Sequence, residues 1–248
     1  MMPLVNRVAL ITGGSRGIGR GIAVRLAQEG ARIAISYRSN KMAAQQALRQ
    51  LQASGADCVA VETDVTDPAG AEQLVQAVAD RYGRLDILVN NVGGFRWGTL
   101  AESSLEEWQG IFSSNLSSVV YVSRAALPLM RRGRWGRMVN LGAVGAERAF
   151  GQAKISAYAA AKAAVVALSR SLALEEAKNG ITVNVVNPSS IDEKELTLSE
   201  ARRIRDARFP IGRPPTVEDV AAAVAFFVSD EAEYVTGQVI NVSGGWML

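Results

Sequence analysis

Short, uniformly apolar runs alternate along this chain with longer stretches whose apolar residues recur every third or fourth position. Val8 to Thr12 is a run of the first kind and ends on a glycine-rich turn; Ile18 to Glu29 follows with helical spacing. The rhythm continues with a strand at Arg32 to Tyr37, a helix at Met42 to Ala53 and a strand at Asp57 to Val61. A helix at Pro68 to Arg81 opens on proline, where no amide donor is needed. Asp86 to Val89 predicts a fourth strand, Leu105 to Met130 a long helical stretch, and Arg137 to Leu141 a fifth strand. Ser156 to Lys178 predicts a second long helix, Thr182 to Val186 a sixth strand, Val217 to Val228 a helix, and Gln238 to Val242 a seventh strand.

Strands that are apolar throughout, rather than alternating, require burial on both faces. Separated by helices, they predict right-handed βαβ units and an α/β fold of the doubly wound Rossmann type: a seven-stranded, mostly parallel sheet with helices on both faces. No internal repeat, low-complexity tract or linker divides the chain, so residues 1–248 read as a single domain. Gly142 to Ile155 and Ser189 to Arg213 are the two long irregular stretches. Both follow the carboxyl ends of strands, where ligands of open α/β sheets bind, and 189–213 reads as a substrate lid.

Thr12-Gly13-Gly14-Ser15-Arg16-Gly17-Ile18-Gly19 lies between a strand and a helix. In that context glycines let the backbone approach a pyrophosphate, and the helix N-terminus offers free N–H groups and a favourable dipole. The spacing is GxxxGxG, not the GxGxxG of many dinucleotide folds, and the strand–turn–helix setting gives it weight. A carboxylate at the end of the second strand would bind the ribose of NAD; here that strand ends Ser36-Tyr37-Arg38-Ser39-Asn40. Arg38 and Arg16 can instead converge on a 2′-phosphate, which favours NADP(H). The alternative for Arg38 is an ordinary surface arginine.

The 248 residues suit one large α/β domain or two small ones. The chain has no histidine, which excludes His-containing hydrolase triads and HExxH zinc sites; no metal site is expected. Proton transfer must therefore use Tyr, Lys, Asp, Glu or water. The single cysteine, Cys58, excludes an internal disulfide and fits a reducing cytoplasm. The N-terminus lacks a basic region ahead of an apolar one, and no apolar run approaches the ~18 residues of a membrane span, so neither secretion nor a membrane partner is expected. Arginines gather at 131, 132, 134 and 137 and again at 202, 203, 205 and 208. They read either as two solvated helix ends or as a docking patch for an acidic ligand such as an acyl carrier; without interleaved aromatics, nucleic acid is not expected.

Further motifs carry a resemblance. Asn90-Asn91-Val92-Gly93 follows the fourth strand, Asn115 lies in the next helical stretch, and Tyr158 stands four residues before Lys162. With the glycine turn and the tail Thr236-Gly237-Gln238 to Gly244-Gly245, the chain from Arg7 onward resembles the short-chain dehydrogenase/reductase family, nearest its 3-oxoacyl-(acyl-carrier-protein) reductases. The resemblance implies an NADPH-dependent carbonyl reductase acting on a small-molecule or acyl-thioester substrate, usually as a homotetramer. Tyr158 would be the general acid, and Asn115 would open its helix locally and hold a relay water. Lys162, on the same helix face, would lower the tyrosine pKa from ~10 and bind the nicotinamide ribose. The cofactor would also contact Gly13, Ser15, Gly17, Ile18, Gly19, Tyr37, Ser39, Asp64, Val65, Asn91, Val92, Gly93, Pro188 and Ile191. Asp64 also reads as a turn-forming residue.

Two departures stand at the substrate end. The family places a catalytic serine after the fifth strand, where this chain reads Asn140-Leu141-Gly142-Ala143. Ala143 has no side-chain donor, a loss worth ~10²–10³ in rate unless replaced. A protonated Glu147, the amide of Gln152, or backbone N–H groups of 142–145 could substitute; Ser156, two residues before Tyr158, would point away from it. After the sixth strand, Pro188-Ser189 stands for the family's Pro-Gly, and Glu193 for its threonine. Two further readings follow: a non-catalytic NADP(H)-binding subunit of a hetero-oligomer, or a reductase of C=C or C=N bonds.

Overall fold

The computed structural model describes residues 3–192 and 195–247. The seven strands are β1 (Val8–Ile11), β2 (Arg32–Tyr37), β3 (Cys58–Glu62), β4 (Ile87–Asn90), β5 (Gly136–Leu141), β6 (Ile181–Pro188) and β7 (Val239–Val242). They form one sheet in the order β3-β2-β1-β4-β5-β6-β7. Every pairing is parallel, so the expected mostly parallel sheet is wholly parallel among the described residues. The helices are α1 (Gly17–Gln28), α2 (Lys41–Ala53), α3 (Pro68–Tyr82), α4 (Leu105–Phe112), α5 (Ser118–Gly133), α6 (Ser156–Glu176), the single turn α7 (Leu198–Ala201) and α8 (Val217–Val228).

The five inner strands are buried on both faces, as their composition demands, while the edge strands β3 and β7 are half-buried. In β1, Ala9 and Ile11 face a core built with Ile22 and Leu26 of α1, Leu51 of α2 and Val224 and Phe227 of α8. Val8 and Leu10, on the opposite face, meet Leu74 and Val78 of α3 and Val122 and Met130 of α5. Alternate residues of one strand thus feed two separate cores. The strand order reverses direction between β1 and β4, and the crevice at their carboxyl ends is where such sheets bind ligands.

Helix starts carry explicit signals. Asp67 accepts from Gly70 N and is followed by Pro68 at the first position of α3. Reciprocal side-chain and backbone bonds close the starts of α4 (Ser104 and Glu107) and α8 (Thr216 and Asp219). The long helical stretch from Leu105 to Met130 opens at Asn115, as the resemblance implies, in a π-helical turn, Ser113–Ser117. Asn115 Nδ2 takes the Ile111 carbonyl at 2.9 Å and Ser118 Oγ takes the Ser114 carbonyl at 2.7 Å, and both compete with the helical ladder. The irregular stretch 189–213 contains α7, whose capping pair Thr197 and Glu200 went unread.

Two expectations about the surface change. The Ser156–Asn179 segment is long and apolar enough, by length and composition, to cross a membrane, contrary to the sequence reading. In the fold, however, Ala161, Val165, Val166 and Ala173 are buried. Arg137 is no helix-end arginine: it belongs to β5, is buried, and stacks its guanidinium over Trp135 at 4.2 Å. Arg131 pairs with the buried Glu176, and Arg208 pairs with Asp192 and Asp206.

Candidate functional site

The turn after β1 is shaped for close approach. Gly13 and Gly17 have φ of 64° and 53°, a region costly for residues with a Cβ. A Cβ on Gly19 would lie 2.5 Å from the Gly13 carbonyl oxygen, so the turn closes only with glycine there. Ser36 Oγ, inside β2, accepts from Gly13 N at 3.1 Å. Asn91, expected beside the adenosine, braces the same turn: its Nδ2 donates to the carbonyls of Thr12 (2.9 Å) and Gly13 (3.3 Å). Thr12 Oγ1 accepts from the N–H groups of Asn91 and Val92. Three strand ends thereby hold one loop.

α1 begins just beyond, with no acidic residue in its first turn and no side-chain cap from Arg16, which is exposed. Its free N–H groups and positive dipole end fit a pyrophosphate. Ser15 is buried and Ile18 half-buried in the turn. At the end of β2, Arg38 has a 76% exposed side chain and lies 3.9 Å from Asp64, a spacing that leaves its donors open to a phosphate. Tyr37 OH donates to Glu62 at 3.1 Å and Ser39 is exposed. Asp64 accepts from Thr66 N and Oγ1, so the turn-forming reading holds for it alongside any adenine contact; Val65 beside it is buried. These residues fit a dinucleotide carrying a 2′-phosphate.

At the carboxyl ends of β4 and β5 the chain gathers Asn115, Tyr158 and Lys162. Lys162 is buried and donates to the Leu141 carbonyl at 2.6 Å. Burial pulls its ammonium down to about 8. Burial likewise pushes the Tyr158 phenol up to about 12. Against the expectation that Lys162 lowers the tyrosine pKa, burial prevails: the ammonium is turned to Leu141 and lies 5.7 Å from the Tyr158 ring centroid. Asn115 donates to the carbonyls of Gly94 and Ile111, while its buried Oδ1 has no protein partner. A Cβ on Gly93 would stand 2.5 Å from that Oδ1 and 3.5 Å from Lys162 Nζ. An orphaned acceptor and a donor with spare protons therefore flank one small cradle.

Ala143, half-buried just past β5, presents no side-chain donor. Glu147 does not replace one as a protonated acid. Its carboxylate accepts from Asn187 Nδ2 (3.0 Å) and Asn241 Nδ2 (2.9 Å). Burial alone would raise its carboxyl, but the Asn241 amide, the loop N–H groups and Arg148 outweigh burial and hold it below the usual range. Gln152 is exposed, and Ser156 is exposed at the start of α6. Pro188 ends β6 opposite Val242, and Ile191 is buried beyond it. Glu193 lies outside the described residues.

Sequence reasoning missed Asn187 and Asn241, whose polar side chains in strands with apolar neighbours were the available signal. It also missed Phe95, whose ring meets Tyr158 edge-on at 5.0 Å.

The chain is similar to known proteins over nearly its whole length. A family model described as enoyl-(acyl carrier protein) reductase matches residues 13–247. The 3-oxoacyl-(acyl-carrier-protein) reductase FabG of Escherichia coli (strain K12) is 42% identical over 248 residues, 98% of either chain. The putative oxidoreductase YtkK of Bacillus subtilis (strain 168) is 38% identical over 248 residues, 96% of either chain. A short chain dehydrogenase from Burkholderia cenocepacia J2315, crystallised in complex with NADP, superposes with a TM-score of 0.88 at 38% identity, covering 98% of both chains. From fold, cofactor turn and whole-length similarity together, the chain belongs to the short-chain dehydrogenase/reductase family.

Proposed function

We propose that this chain is an NADPH-dependent carbonyl reductase in which Tyr158 protonates the substrate oxygen. The observation that carries this is the convergence of Lys162 Nζ and the unpaired Asn115 Oδ1 on Gly93, one helical turn from Tyr158. A bound dinucleotide supplies the hydride. The glycine turn and the α1 N-terminus would hold its pyrophosphate, Arg38 and Arg16 its 2′-phosphate, Lys162 its nicotinamide ribose, and the Ile191 backbone its carboxamide. NADP is supported by the absence of a carboxylate at the end of β2 and by the NADP-bound Burkholderia relative.

In reduction, the phenol gives its proton to the developing alkoxide. Burial holds the phenol up to about 12, so its proton is in place at neutral pH. Lys162 stabilises the tyrosinate as it forms, and a water held on Asn115 Oδ1 returns the proton. The catalytic group is thus Asn115, Tyr158 and Lys162, all within one domain. A ketone substrate is supported by the 3-oxoacyl reductases among the relatives. Purified protein should oxidise NADPH in the presence of ketones or diketones and not in their absence.

Ala143 favours a second reading, reduction of a C=C bond, since no side-chain hydroxyl there polarises a carbonyl. Enones reduced to saturated ketones, with simple ketones untouched, would select it.

A further inference from the structure

Three exposed aromatic side chains stand on the two loops that flank Tyr158. Phe95 (59% exposed) and Trp97 (55%) lie on the loop after β4, and Phe150 (44%) on the loop after β5. The Phe95 and Trp97 ring centroids are 6.2 Å apart, and Phe95 reaches Tyr158 edge-on. Gly98 N donates to the Lys154 carbonyl at 2.8 Å, tying the two loops together beside the phenol. The arginines among these aromatics are already matched: Arg96 with Glu107, and Arg148 with Glu147 and the Met247 carbonyl. Around the acid, then, are open π-faces, compensated charge and, at Ala143, no side-chain donor to polarise a carbonyl.

We infer, on the reductase reading above, that the substrate is a planar conjugated dicarbonyl, a quinone or aromatic 1,2-diketone, whose ring system rests on Phe95 and Trp97. Both features point to one chemistry. Flat rings gain most from offset or edge-on aromatic neighbours. A carbonyl conjugated to a second carbonyl is electrophilic by its own electronic structure, so it needs less help from a donor at position 143. In the reaction the attacked carbonyl carbon gains a C–H bond from the hydride of the reduced dinucleotide, which is oxidised. The π pair moves to oxygen, which takes the Tyr158 proton. The product is a ketol, and on a quinone ring it tautomerises to the hydroquinone.

The test pairs turnover with binding. With NADPH, kcat/KM for phenanthrenequinone should exceed that for an acetoacetyl thioester at least tenfold. Phe95→Leu and Trp97→Leu should each raise KM for the quinone roughly three- to tenfold with little change in kcat, as loss of one aromatic contact predicts. In the cofactor-free protein, unreactive phenanthrene should quench tryptophan fluorescence, and the quench should vanish in Trp97→Leu, whose folding is checked by circular dichroism. Preference for the thioester, equal losses on both substrates, or no phenanthrene binding would overturn the inference while leaving the reductase reading intact. Bound phenanthrene with no turnover of any carbonyl would overturn the reductase reading and this substrate with it.

Discussion

The Lys162 ammonium donates to the Leu141 carbonyl at 2.6 Å, so the last residue of β5 fixes where the buried charge of α6 sits. The bond ties α6 to the end of β5 that opens the loop carrying Ala143. It also holds a cation where burial disfavours it.

That cation should cost stability. Lys162 falls from 10.5 to about 8 on burial, which corresponds to about 3 kcal/mol against the charged form. Losing its bond to Leu141 offsets roughly 1 kcal/mol. Lys162→Met should therefore stabilise the cofactor-free protein by about 2 kcal/mol at neutral pH while abolishing activity. Below about 8 the lysine is charged in both folded and unfolded chains, and the full cost is present. Between about 8 and 10.5 the native lysine releases its proton while the unfolded one keeps it, so the parent gains stability as pH rises. Melting curves of both proteins over that range should converge; a gap that widens would contradict the assignment.

The same group should set the pH dependence of catalysis. Tyr158 stays protonated up to about 12, so a fall in kcat/KM for reduction above about 8 would report loss of the Lys162 charge. A profile flat to pH 10 would show that the charge is not needed.

Gly142 has no room for a side chain: a Cβ there would lie 1.9 Å from Asn187 Oδ1. Gly142→Ala should lower stability by about 1–3 kcal/mol, the usual cost of overpacking. Adding Asn187→Ala should recover a large part of it, because neighbouring substitutions couple. Thermal denaturation of the single and double variants measures this; purely additive losses would show that the clash is relieved elsewhere.

The proposed preference for NADPH rests on Arg38. Arg38→Ala should weaken NADPH binding ~10–100-fold, the value of a charge-assisted bond, and leave NADH binding nearly unchanged. Calorimetric titration with both cofactors reads the difference. Equal effects on the two would remove Arg38 from the phosphate site.

Much of this architecture was legible in the sequence because parallel strands buried on both faces leave uninterrupted apolar runs. β2 and α8 were read to the residue, and every other strand to within two residues. The glycine turn was legible because few residues other than glycine tolerate its geometry. What escaped depends on partners distant in sequence. The family resemblance implied that the helix opens locally at Asn115, but not that its amide reaches Gly94, 21 residues away, as well as Ile111. The ionised state of Glu147 follows from Asn187 and Asn241, 40 and 94 residues away. The raised Tyr158 and lowered Lys162 are burial effects, which spacing along one helix does not reveal.

The central claim is that the Tyr158 hydroxyl delivers the proton in NADPH-dependent reduction of a carbonyl. Its most direct measurement is single-turnover oxidation of bound NADPH by a diketone in the parent and in Tyr158→Phe, with NADPH affinity titrated in both. The account predicts a rate lower by ~10²–10⁴ in the variant with NADPH affinity essentially retained. A variant that reduces the diketone at the parent rate would contradict it.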